Sequence, residues 1–231
     1  MSLPDAQVPT PDLQAIATQL ESENSRDRLL GVVALKDVPP EDAVPLIKKV
    51  LEDDNIQVKS MAVFALGLKP TEDSMPLLVQ MMETDADYGV RAAAAGALGY
   101  LQDSRAVEPL MRSFYEETDW LVRFSAAVSL GNLKDQKARQ VLLEALESEE
   151  VVLHQAAIAA LGEIKDTESV EAILRFAQAE DWLVRQRLAE ALGNLPSEKS
   201  ISALKYLEKD SHPNVSAAAT FALKQLTDAQ D

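Results

Sequence analysis

Apolar residues recur along the chain in a rhythm that belongs to helices, and the rhythm itself repeats. In VRAAAAGALGYL, residues 90–101, Val90, Ala93, Ala94, Ala97, Leu98 and Leu101 fall on one face at helical spacing. A second stripe, Ala106, Val107, Leu110, Met111 and Phe114, follows after Asp103 and Ser104, a polar break suited to a helix N-cap, and Asp135 and Asp166 recur at the equivalent place. The pattern predicts antiparallel helix pairs with tight connections.

Ala-Leu-Gly and its variants mark the period. Gly67, Gly99, Gly131, Gly162 and Gly193 are 32, 32, 31 and 31 residues apart, and each follows a leucine: Leu66, Leu98, Leu130, Leu161 and Leu192. The same step outward reaches Ala222-Leu223 and Ala34-Leu35, where lysine replaces the glycine. Eight residues before these leucines stand Val58, Val90, Val122, Leu153, Val184 and Val215; only the first unit breaks the position, with Asp27. A lone amphipathic pair cannot cover its own apolar faces, so neighbours must supply the core. The expected fold is all-α: a right-handed α-solenoid of about seven hairpins, one domain over residues 12–227 with loose tails at 1–11 and 228–231. Pro45, Pro76 and Pro109 lie near the start of the first helix of three units, where proline is tolerated and can help set the curve of the stack.

Composition narrows the function. Apolar residues make up 47% of the chain but aromatics only 5%, which favours helices packed through small residues. With 22 basic and 38 acidic residues the net charge is −16, so a phosphate backbone would be repelled and nucleic acid is not an expected partner. The absence of cysteine removes disulfides, thiolate metal sites and thiol nucleophiles. No apolar run is long enough to span a membrane, and a soluble cytoplasmic protein is expected. No phosphate-loop, zinc, dinucleotide or nucleophile-elbow string is present. The expectation is therefore no catalytic residue, no metal and no cofactor.

Two sets of residues follow the period. Lys59, Arg91, Arg123 and Arg185 occupy one place in successive units, with Asp87, Asp119 and Asp181 four residues upstream; an Asp at the helix start and an Arg one turn on can satisfy each other and the exposed N–H groups, so we read them as a structural ladder. His154 takes the same slot in the fifth unit and reads as a surface substitution; His212 has no evident partner. Tyr88, Trp120 and Trp182 share one position at the turn between helices, where they are expected to plug the junction of neighbouring units.

The strings DWLVR at 119–123 and 181–185, followed by FSAAVSLGNL and, within the second, RLAEALGNL, resemble the HEAT-like repeats of the phycobilin-lyase family, and the resemblance covers residues 12–227. Within that family they are most like the phycobilisome-degradation proteins; other branches are bilin-lyase subunits and a HEAT-repeat partner of the iron–sulfur carrier IscA. The resemblance implies a cyanobacterial or plastid protein whose partner is a phycobiliprotein or an iron–sulfur carrier, with a tetrapyrrole as possible ligand. In HEAT arrays the second helices line the concave side. Positions three, six and seven counted from the valine should then project into the curve as an apolar strip: Ser60, Val63 and Phe64; Phe124 and Val128; Gln155 and Ile158; Gln186 and Glu190. The alternative is that neighbouring second helices bury them.

Overall fold

The computed structural model describes residues 12–228, so the expected tail at 1–11 and residues 229–231 lie outside the described residues. The described residues form fourteen α-helices in seven successive pairs. The first helices of the pairs are α1 (Leu13–Leu20), α3 (Pro40–Lys48), α5 (Ser74–Thr84), α7 (Val107–Glu116), α9 (Arg139–Ala145), α11 (Val170–Leu174) and α13 (Glu198–Leu207). The second helices are α2 (Ser25–Ala34), α4 (Ile56–Gly67), α6 (Tyr88–Leu101), α8 (Trp120–Leu133), α10 (Val151–Glu163), α12 (Trp182–Gly193) and α14 (Pro213–Asp228). The start expected for the C-terminal tail is therefore one residue early, because Asp228 still belongs to α14.

Local chemistry starts the second helices. Asn55 caps α4 and Asp87 caps α6, each side chain accepting from two amides of the first turn; Asp119 and Asp181 each accept one at α8 and α12. The expected caps at Asp103 and Asp135 form on the short 3-10 turns that lead into α7 and α9. Asp166 differs: its carboxylate is buried and accepts from Arg139 Nε at 2.9 Å, because a cation of the preceding unit reaches it. Pro76 and Pro109 sit in first turns of α5 and α7, whereas Pro45 lies inside α3.

The residues that mark the period form the core. Leu35, Leu66, Leu98, Leu130, Leu161 and Leu192 are fully buried, as are Val90, Val122, Leu153 and Val215, with Val58 and Val184 nearly so. The glycines do something different. A Cβ on Gly67 would stand 2.6 Å from the Cβ of Ala97, and one on Gly131 or Gly162 would stand 2.7 Å from the Cα of Ala160 or Ala191. Gly99 meets Ser129 and Gly193 meets Ala222 in the same way. Each glycine thus lets the following second helix approach to backbone contact, and the residue it receives is the one before the next repeat leucine.

Successive second helices pack along their lengths, while successive first helices meet at few points. Layers held closer on one side bend toward that side, so the second helices line the inside of the curve. The edge at the C-terminal ends of the second helices is stitched by side chains. Gln102 Nε2 donates to the carbonyl of Asn132 at 3.1 Å, Gln136 reaches that of Ile164, and Lys69 Nζ donates to those of Lys36 and Val38 at 2.6 Å.

Candidate partner-binding face

One edge carries the charged ladder, and its wiring corrects the expected one. Asp87, Asp119 and Asp181 hold first-turn amides as expected, but they do not pair with the arginines. The cations reach the next unit: Arg28 Nε lies 2.6 Å from Asp53 Oδ2, Lys59 Nζ 2.6 Å from Asp85 Oδ2, Arg91 Nε 2.5 Å from Glu117 Oε1 and Arg185 Nε 2.7 Å from Asp210 Oδ2. The guanidinium fork does two things at once, since Arg28, Arg91 and Arg185 also donate to the carbonyls of Ser22, Asp85 and Ala179, six residues upstream. The hydrogen bonds from Arg28 and Arg185 hold the Asp53 and Asp210 carboxyls below the ordinary range, and the one to Asp85 raises Lys59.

The ladder weakens in the middle because its acids change. Ser148 stands where Glu117 or Asp210 would, so Arg123 finds only Glu150 at 3.6 Å and lies over the Phe114 ring at 5.0 Å. Ala179 stands there in the next unit, and the cation facing it is replaced by His154, whose Nε2 keeps the carbonyl contact, to Ser148 at 2.7 Å. His154 is therefore a reduced rung of the ladder. The expected aromatic plugs are not buried: Tyr88, Trp120 and Trp182 are all exposed, and Trp182 spans the junction by stacking on His212 of the next unit at 4.1 Å and 11°.

The inner strip divides by position. The sixth residue is buried wherever another second helix follows, at Val63, Ala95, Ala127, Ile158 and Ala189, and Thr220, in the last described second helix, is exposed. Val63 and Ile158 accordingly do not project into the groove. The seventh position stays open, with Phe64, Val128 and Glu190 exposed, and Ser60, Phe124, Gln155 and Gln186 are half-buried. The structure adds residues that the three-position rule missed. Leu30 and Val33 on α2, Met61 on α4, Leu68 just beyond it and Tyr100 on α6 are exposed, with Tyr100 packed edge-on against Phe64 at 5.4 Å between centroids. Met61, Phe64 and Leu68 follow helical spacing, a signal present in the sequence.

Charge is segregated across the molecule. Of the 38 acidic residues only Asp27, Glu163, Glu190 and Asp228 lie in second helices, so the inner face is acid-poor and the first helices and loops carry the negative charge.

A profile of HEAT repeats matches residues 13–99, 75–157 and 146–224. The chain belongs to the HEAT-repeat family. No curated protein matches the sequence. Among solved structures this HEAT array is similar to a chain of the complex of CpcE and CpcF of phycocyanin lyase from Nostoc sp. PCC7120, with TM-score 0.62 and 20% identity over 98% of each chain. It is similar to a chain of the Kap95p–RanGDP complex, with TM-score 0.62 and 15% identity over 94% of this chain and 35% of that one. It is also similar to YibA of E. coli, with TM-score 0.54 and 18% identity over 93% and 92% of the two chains. At these identities the likeness is one of fold. Among the described residues no helix is long and apolar enough to cross a membrane, and no group of His, Asp and Glu could hold a metal ion.

Proposed function

We propose that this HEAT array is a non-catalytic adaptor whose second-helix face holds a phycobiliprotein or its released tetrapyrrole chromophore in a cyanobacterial cytosol or plastid stroma. The observation that carries the reading is the cluster of exposed apolar side chains, Leu30, Val33, Met61, Phe64 and Leu68, at the acid-poor inner face of a chain of net charge −16. Contiguous exposed apolar surface is costly to leave in water and marks interaction sites. Resemblance to the phycobilin-lyase family selects the partner class.

The test is titration of purified phycocyanin with the full chain, followed by sedimentation and by absorbance. Reversible complex formation, weakened at least tenfold by Phe64→Asp as for a buried interface anchor, is the expected result. Covalent transfer of bilin to the phycobiliprotein would instead assign a lyase subunit. Absence of any complex, together with co-purification of an iron–sulfur carrier, would move the adaptor to that partner.

A further inference from the structure

The seam between α2 and α4 departs from the others. At later seams a repeat glycine receives the small residue before the next repeat leucine, and Ala97, Ser129, Ala160, Ala191 and Ala222 are all buried there. At the first seam the glycine position is Lys36 and the receiving residue is Ala65, which is only partly buried. No glycine admits the next helix at this seam, α2 and α4 meet less extensively than later second helices do, and a cleft of about 200 Å³ lies along Ala65. Its walls are apolar, with Val33 51% and Leu68 45% exposed beside Met61 and Phe64. Four further clefts in the array each have a carboxylate in a mixed lining, among them Asp210, Glu190, Glu83 and Asp181.

The polar groups of this apolar cleft are two lysines and no carboxylate. Lys36 is exposed at its rim, and Lys69 donates to the backbone carbonyls of Lys36 and Val38. Lys69 is held by those carbonyls, and Lys36, like several other surface lysines, makes no ion pair with the described residues; no carboxylate lines this cleft to meet it. Ligand pockets for whole small molecules run from about 300 to 1,000 Å³. A cleft of this size takes one or two side chains of a protein partner.

We propose that the α2–α4 seam is a docking site for a partner segment that places an apolar or aromatic side chain against Ala65 and an adjacent carboxylate beside Lys36. This rests on the adaptor reading and gives its recognition chemistry: an acidic apolar segment, with basic segments excluded by the lysines at the seam.

The experiment uses the full chain with ¹³C-labelled Met, Leu and Val methyls and two probes, acetyl-Gly-Leu-Phe-Asp-Gly-amide and its Asn counterpart. The expected result is saturable shifts at Met61, Val33 and Leu68, with the Asp peptide about threefold to fivefold tighter at low salt, the size of an exposed ion pair. Lys36→Met should abolish that preference while leaving the apolar binding. Ala65→Leu should fill the cleft and abolish the shifts with either peptide; if that variant does not fold, Phe64→Asp is expected to abolish them. Equal affinity for both peptides, shifts confined to other helices, or binding indifferent to the cleft-filling or wall variant overturns the proposal. Phycocyanin binding without peptide shifts at the seam rejects this site and leaves the adaptor reading standing. Peptide binding at the seam without phycocyanin binding keeps the site and rejects that partner.

Discussion

Two glycines in second helices answer the same substitution with opposite sign. An alanine at Gly131 would put its Cβ 2.7 Å from the Cα and Cβ of Ala160, a backbone contact that only a shift of α10 relieves. Gly131→Ala should therefore cost about 1–3 kcal/mol, the range for overpacking. At Gly96 a Cβ meets nothing within 4 Å, so the glycine brings only its conformational entropy. Gly96→Ala should stabilise by about 0.5–1 kcal/mol. Denaturant unfolding of both variants measures the difference, and a loss at Gly96 equal to that at Gly131 would contradict the contact argument. Left-handed backbone gives a third case. Lys134 and Lys165 end their helices at φ 55°, where a Cβ is strained and glycine is not. Lys165→Gly is expected to raise stability by about 0.5 kcal/mol.

Between elements, the cross-unit ladder ties α2, α4, α6, α8 and α12 to the next loop, and its rungs are unequal. Arg91 and Glu117 are mostly withdrawn from solvent, so Arg91→Met leaves a poorly hydrated carboxylate and should cost about 2 kcal/mol, somewhat less than for a fully buried pair. Arg123 lies at 3.6 Å from a more exposed Glu150, and Arg123→Met should cost about 0.5 kcal/mol. Thermal unfolding of the two variants ranks them. The ladder also sets an acid limit. Asp53 and Asp210 have carboxyls lowered by Arg28 and Arg185, so their contribution is fully present above the unfolded carboxylate pKa of about 4. It is lost as pH falls through their lower folded values. Stability measured from pH 7 to pH 2 should fall across that window, and the fall should be shallower in Asp53→Asn, which starts less stable at neutral pH. Helix pairs stabilised mainly by neighbours imply one further outcome at this scale. Deleting one whole middle unit of 31 residues should give a shorter folded helical protein by circular dichroism; aggregation of several such deletions would argue against modular stacking.

Over the whole molecule, the acidic charge lies on first helices and loops while the inner face keeps its apolar residues. At net charge −16 the chain should not retain DNA at physiological salt, a result that a mobility-shift titration checks directly. How much of this was legible depends on whether a feature is local or pairwise. Helix pairs, their caps and the buried leucines follow from period and residue type, because a helix decides which side chains share a face. The same sequence placed Val63 and Ile158 in the groove beside Phe64 and Val128; only the position of the next helix, about 100° around the axis, separates the buried sixth residue from the open seventh. Likewise Asp and Arg four residues apart read as partners within one helix, yet the arginine reaches an acid about 26 residues away, because the neighbouring loop offers its carboxylate and the local Asp is already held by first-turn amides. The repeat glycines were visible as a ruler, but their purpose, backbone contact with the next unit, and the opening where Lys36 takes their place exist only between units. Sequence alone determined the elements and their order; contacts between units decided which surfaces remain open, since those depend on how closely two backbones approach.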